Sequence, residues 1–275
     1  MQYDPIKKTL GKLFNRTPFL RILFYKLLDL LLLRAWHVKK EIKMWARGSA
    51  KDKLSKDRRY ILDAGSGFGQ YTYFLSGLDS RWFVDAIDVK EEQVADCNAF
   101  FTRIKRMNVL FEKADLTTLV RSDRFDLILS VDVMEHITDD EHVFRNFYDS
   151  LTQDGMLLIS TPSDEGGSDV HDHDDDESFI DEHVRDGYNI VEIGEKLKRA
   201  GFTRTEARFT YGVPGQIAWR LSMKYPIRLL NVSKIFFMVL PFYYLIAFPV
   251  SCLFNYLDTR QHHVTGTGLM VKAWK

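Results

Sequence analysis

Apolar residues recur at Leu20, Leu23, Phe24, Leu27, Leu28, Leu31 and Leu32, the three- and four-residue rhythm of one helix face. They predict one or two helices over residues 18–45. Arg16, Arg21, Lys26 and Arg34 are interleaved, and Lys39, Lys40 and Lys43 follow. Two readings stand: a helix packed on the rest of the chain, or a basic amphipathic helix at a membrane surface. The polar stretch GSAKDKLSKD, residues 48–57, predicts a linker.

From Arg58 the rhythm changes. Short apolar runs occur at 60–64 (YILDA), 82–89 (WFVDAIDV), 108–116 (NVLFEKADL), 125–133 (FDLILSVDV) and 155–162 (GMLLISTP). Helical stretches separate them, beginning at Gln70, near Glu91 and near Asp139. Strands alternating with helices predict parallel βαβ units and a doubly wound α/β sheet. A helix over 190–200, a strand over 203–210 and a final strand over 266–275 follow. Between the last two strands lies an uncharged run of 23 residues, from Ile235 to Leu257. A bilayer-spanning helix needs about 20.

Composition narrows the reading. The 275 residues are 28% charged with zero formal net charge, which argues against a general nucleic-acid binder. The charge is unevenly spread. Residues 1–60 carry 16 Lys and Arg against 5 Asp and Glu, whereas 163–186 carry 11 acidic residues against one Arg. Such blocks bias partners more than the total does. Cys97 and Cys252 form no disulfide framework or zinc spacing, so a reducing compartment is the default. The N-terminal apolar run, broken by Arg21, Lys26 and Asp29, does not read as a secretory signal.

The strongest chemical signal is DAGSGFGQ, where Gly65, Gly67 and Gly69 form a turn between strand and helix. A dinucleotide fingerprint would place glycine where Gln70 stands. Asp63, at the strand end, repels phosphate and suits a cationic ligand. Asp88, ending the second strand, is placed for ribose hydroxyls, and Asp115, after the third, for an adenine amino group.

These motifs resemble those of class I S-adenosylmethionine-dependent methyltransferases, with the quinone O-methyltransferases closest in flavour. LDAGSGFG, DAIDV, KADL, FDLILSVDVMEHI and DGMLLISTP follow in the family's order across residues 58–162. The resemblance implies a seven-stranded Rossmann-like sheet with an antiparallel last strand. It implies S-adenosylmethionine as cofactor, held by Asp63, Gly65, Ser66, Gly67, Gly69, Asp88, Val89, Ala114, Asp115, Leu116 and Ser130. Asp132, Glu135 and His136 are spaced D-x-x-E-H. This resembles the family's E-x-x-E-H cluster for a divalent metal, with Asp132 one methylene short. Two carboxylates and an imidazole suit Mg²⁺ or Mn²⁺; the alternative is that they cap the next helix. His136, His171 and His173 are candidate general bases for an acceptor hydroxyl. Arg185 and Tyr188 are further pocket candidates. The acidic loop 163–188 reads as a lid.

The fold implied also bears on the uncharged run. Its last two strands pair as a hairpin and must lie on one side of any membrane, which a single span at 235–257 would prevent. Pro241 and Pro249 each remove a backbone donor and divide the run. The expectation is a helical hairpin dipping into one leaflet or lying flat on it; the alternative is a buried helix pair or a dimer interface. Trp219, Tyr243, Tyr244 and Tyr256 suit the headgroup zone. The organisation expected is a basic helical extension (1–57) before a methyltransferase domain (58–275) with a helical insert at 212–262. The protein expected is a cytoplasmic enzyme, peripheral to the inner face of an anionic membrane, that methylates an oxygen of a hydrophobic or lipid-linked acceptor. A homodimer is compatible with it. The alternatives are a soluble small-molecule methyltransferase and a catalytically silent scaffold.

Overall fold

The computed structural model describes residues 17–51, 58–166, 184–233, 236 and 238–275. Its centre is one seven-stranded sheet in the order β3-β2-β1-β4-β5-β7-β6. The strands are β1 (Arg59–Ala64), β2 (Trp82–Asp88), β3 (Val109–Lys113), β4 (Phe125–Val131), β5 (Leu151–Pro162), β6 (Arg204–Thr210) and β7 (Gly268–Trp274). β1 to β5 pair in parallel, while β7 runs antiparallel between β5 and β6. The parallel units expected from the alternation of apolar runs are observed, and so is the antiparallel last strand that the resemblance implies.

Each central strand is apolar on both faces because helices cover both. Ile61 and Leu127 face one side with Leu75 of α3 (Gln70–Leu78) and with Val38 and Ile42 of α2 (Leu33–Lys51). Leu62 and Ile128 face the other, with Phe144 and Phe147 of α5 (Asp140–Ser150) and Ile193 and Leu197 of α6 (Ile190–Arg199). The two-residue period of a strand makes this division automatic. A third cluster gathers Cys97, Phe100 and Phe101 of α4 (Glu91–Arg103) around Tyr25 of α1 (Pro18–Leu31).

The linker expected at 48–57 is partly helix, since α2 continues to Lys51. The helical hairpin expected around Pro241 and Pro249 is corrected more strongly. One continuous helix, α9 (Leu240–Arg260), takes its place. Pro241 sits in the first turn, where no backbone donor is needed. Pro249 lies inside the helix and leaves the carbonyl of Leu245 without its usual partner. That carbonyl lies on the exposed side of the helix, where the break does least harm. Ahead of α9 come α7 (Val213–Trp219), a π-helical turn (Arg220–Lys224) and α8 (Tyr225–Val232).

Candidate active site

In the sheet register Asp63 stands opposite Ala86 and Leu129, and Ala64 opposite Ile87 and Ser130. The carboxyl ends of β1, β2 and β4 are therefore level, and the loops after them form one edge. Ligands of open α/β sheets bind at this edge.

The turn after β1 depends on backbone that only glycine adopts readily. Gly65 has φ +79°, and a Cβ there would lie 2.2 Å from Val133 Cγ2. The amides of Gly65 and Ser66 both donate to the Ile87 carbonyl, at 2.9 and 2.8 Å. Asp88 holds the turn from the next strand: its Oδ2 accepts from Gly67 N (2.9 Å) and its Oδ1 from Lys90 N (2.8 Å). A carboxylate has about four acceptor sites, so capacity remains for ribose hydroxyls. Asp115 is exposed, and its Oδ1 accepts from Thr117 N and Oγ1, both at 2.8 Å. Val89 is exposed beside Asp88, Ala114 is half-buried, and Leu116 is buried in the core.

Asp63 is buried behind the turn and accepts from Thr72 Oγ1 at 2.5 Å. Burial pushes its carboxyl up to about 6, against the Thr72 hydrogen bonds and with help from nearby Asp88. Ser66 Oγ and Ser130 Oγ are buried and have no partner. Three carboxylates, two unpartnered hydroxyls and an open glycine turn suit a cationic, hydroxyl-bearing ligand such as S-adenosylmethionine.

The D-x-x-E-H residues do not converge. Asp132 adopts φ +51° directly after β4, and its carboxylate pairs with Arg34 of α2. Glu135 is buried and accepts from Thr161 Oγ1 at 3.1 Å. Burial raises its carboxyl above the usual range, despite His136, Thr161 and Arg34. His136 is exposed in the same short 3-10 turn. Among the described residues no three His, Cys, Asp or Glu side chains are grouped to hold a metal ion. The expected Mg²⁺ or Mn²⁺ triad is not assembled in this geometry: the Arg34 guanidinium pairs with Asp132, Glu135 is buried and His136 is exposed. His171 and His173, with most of the acidic loop, lie outside the described residues.

Arg185 and Tyr188 anchor rather than line a pocket. Tyr188 is buried and donates to Asp140 Oδ2 at 2.7 Å, and Lys196 Nζ lies 2.9 Å from the same oxygen. Arg185 pairs with Asp140 and donates to the Ile137 carbonyl at 2.7 Å. The chain leaving the acidic loop is tied to the start of α5 by these contacts.

Several residues at this edge come from the N-terminal helices. Arg21 Nη2 donates to the Phe68 carbonyl at 2.9 Å, and Tyr25 donates to the same carbonyl. Arg21 also pairs with Asp96 at 2.6 Å, and Gln70 Nε2 donates to Asp29 Oδ1 at 2.7 Å. α1 thus lies across the glycine turn. Arg21, Tyr25 and Asp29 follow at four-residue intervals on one face, a signal present in the sequence. The hydroxyl of Tyr211, just after β6, accepts from Arg34 N at 3.0 Å, which ties α2 to the far side of the sheet.

Residues 61–155 match a family model described as a methyltransferase domain. Over 122 residues the chain is 34% identical to the malonyl-[acyl-carrier protein] O-methyltransferase of Bacillus anthracis, covering 42% of this chain and 44% of that protein. The chain spans less than half the length of the curated relatives it matches. Among solved structures it resembles a sarcosine dimethylglycine methyltransferase from Galdieria sulphuraria, described there as putative (TM-score 0.53, 17% identity, 84% of this chain and 83% of that one). It also resembles phosphoethanolamine N-methyltransferase 2 of Haemonchus contortus in complex with S-adenosyl-L-methionine (TM-score 0.56, 18% identity, 84% and 52%). At these identities the two structures speak for the fold alone.

Proposed function

We propose that this chain is a class I S-adenosylmethionine-dependent methyltransferase that methylates an oxygen of a hydrophobic or lipid-linked acceptor at a membrane surface. The observation that carries methyl transfer is the level edge of β1, β2 and β4, where the glycine turn is held by Asp88 and backed by buried Asp63. When bound, S-adenosylmethionine supplies a methyl group on a positively charged sulfur, primed for in-line displacement. Asp63 offsets that positive charge, Asp88 takes the ribose, and Asp115 and Leu116 flank the base. Packing α1 across the turn shields the site from water, and the chain's main contribution is alignment. His136, exposed at the same edge, is placed to receive the proton of an acceptor hydroxyl.

The preference for oxygen is supported by the Bacillus anthracis relative, named as an O-methyltransferase. The preference for an apolar acceptor is supported by the exposed apolar helix α9, which is linked through Tyr211 and Arg34 to Asp132. Calorimetry with S-adenosylmethionine tests the first part. Micromolar binding is expected, weakened at least about tenfold in Asp88→Ala by loss of the ribose and turn contacts. No binding by the wild-type chain favours a silent scaffold. Incubation with radiolabelled S-adenosylmethionine and a lipid extract tests the second: label belongs in the organic phase, and label confined to water-soluble products favours the soluble small-molecule enzyme.

A further inference from the structure

Two helices of this chain are inverted with respect to an ordinary surface helix. α9 turns Ala247, Ser251, Asn255, Asp258 and Thr259 inward, all buried. Its outward face carries Phe242, Leu245 and Ile246, which are 70%, 72% and 75% exposed, and then Val250, Leu253 and Tyr256. α1 buries Arg21 and Tyr25 and exposes Phe19, Leu23, Leu27 and Leu30. Leu31 at the end of α1 and Asn255 of α9 line one cleft together with Leu33, Tyr211 and Trp219. Solvated proteins rarely leave contiguous apolar stripes of this kind uncovered.

We infer that the outward faces of α9 and α1 dock on an anionic lipid bilayer, with α9 lying in the plane of one leaflet and not crossing it. Charge selects the partner. From Tyr211 to Leu257 the chain carries Arg220, Lys224, Arg228 and Lys234 and no acidic residue. Exposed Lys26 stands within the α1 stripe, and Arg260 closes α9. Apolar residues with a basic border fit lipid tails beneath anionic headgroups.

The in-plane orientation follows from what holds α9 along its length. Near its start, the Tyr243 and Tyr244 hydroxyls donate to the Leu221 and Ser222 carbonyls at 2.6 and 2.7 Å. Near its end, Asp258 accepts from Gly215 N at 2.9 Å and lies 2.8 Å from His37 Nε2. The start is fixed to the π-helical turn of the same insert and the end to α2, which packs on the sheet, so both stay on one side of a bilayer. Tyr243 and Tyr244, expected at the headgroups, face the protein. Tyr211 lines the cleft beside α9 and bonds Arg34, whose guanidinium reaches Asp132. Through α1, which lies across the glycine turn, the docking face adjoins the candidate active edge, which deepens the reading of a membrane-held acceptor and rests on it only for the acceptor's route.

Flotation of the full chain with phosphatidylcholine vesicles, with and without phosphatidylglycerol, tests the proposal. Wild type is expected to float with the anionic vesicles, and to lose about fivefold in partitioning for each basic contact screened by salt. The double substitution Leu245→Glu and Ile246→Glu is expected to weaken partitioning at least about a hundredfold. Its binding of S-adenosylmethionine by calorimetry should match wild type, which separates failure of docking from failure of the methyltransferase reading. Labels placed by Phe242→Cys and by Tyr256→Cys, each with Cys252→Ser, should meet a quencher added outside the vesicles to the same extent. A wild-type chain that stays with the lipid-free fraction overturns the proposal. So does a lipid-free dimer that Leu245→Glu dissociates, since a second copy then covers the face. Protection of one label alone overturns the in-plane orientation.

Discussion

The sheet and the helices laid over its edges bury opposite kinds of side chain. Between the sheet and its flanking helices lie Ile61, Leu62, Leu127, Ile128 and Phe144, with no polar atom to satisfy. Beneath α9 lie Ser251, Asn255, Asp258 and Thr259, and beneath α1 lie Arg21 and Tyr25. Apolar burial is non-directional and shared among many contacts. Polar burial is directional, and losing one partner leaves the other uncompensated. The sheet should therefore tolerate single changes that its added helices do not, and these helices should each depend on one or two charged anchors.

Asp258 is the anchor where that dependence is greatest. Its carboxylate is wholly buried and meets His37, Gly215 N, Tyr211 N (3.3 Å) and His263 (3.1 Å). Burial works to raise its carboxyl, but the His37 hydrogen bond, neighbouring His263 and the Gly215 amide hold it below the usual range. Burial also depresses the His37 imidazole, so a neutral ring donates Nε2–H to a charged carboxylate while Nδ1 faces Arg208 Nη2 at 3.2 Å. Asp258→Ala is expected to cost about 3–5 kcal/mol in the docking of α9, because the His37, Gly215 and Tyr211 donors all lose their acceptor. Limited proteolysis would show it as cleavage within 212–262, with S-adenosylmethionine binding kept. If Asp258→Ala resists protease as wild type does, the contrast between the two regions fails.

Asp63 sharpens the contrast from inside the sheet region, because its buried carboxyl faces the Thr72 hydroxyl where buried Asp85 faces Arg121 and Arg124. Its folded value, about 6, lies above its ordinary 3.8. The folded protein holds the proton more tightly than the unfolded chain, so stability falls as pH rises from about 4 to about 6. The full cost, about 3 kcal/mol, is present above that window. A cationic ligand offsets it, because binding favours the ionised carboxylate. Affinity for S-adenosylmethionine is expected to rise as pH increases through 6, while Asp63→Asn melts at a higher temperature at pH 7.5 and binds weakly and evenly across pH. A flat wild-type profile would remove Asp63 from the site.

Legibility follows the same division. The strands were readable because their two-residue period and apolar continuity are local, and the glycine turn because its spacing is local too. Asp63 and Asp88 could be placed at strand ends without knowing any partner. Asp132 could not be interpreted in that way: its counter-ion, Arg34, is distant in sequence and arrives on a helix outside the motif. Arg21, Tyr25 and Asp29 share a visible helical face, but nothing local says that Phe68 receives it. For α9, the local rule makes proline a corner because it ignores burial. The rule fails where the freed carbonyl faces outward and the other side of the helix is held by side chains from elsewhere.

The smallest expected effect tests the two faces of α9 directly. Leu245 is a large apolar residue that touches solvent in the lipid-free chain. Leu245→Gln keeps helix propensity and removes no buried contact, so stability without lipid should change by less than about 0.5 kcal/mol. Two positions on, Ala247 is buried against the protein, and Ala247→Leu should destabilise by about 1–3 kcal/mol through overpacking. The apolar inward change is thus predicted to do more harm than the polar outward one. Thermal melts of both variants in lipid-free buffer decide the order. A large loss in Leu245→Gln would mean that the outward face is already covered in solution, and that α9 belongs with the ordinary core.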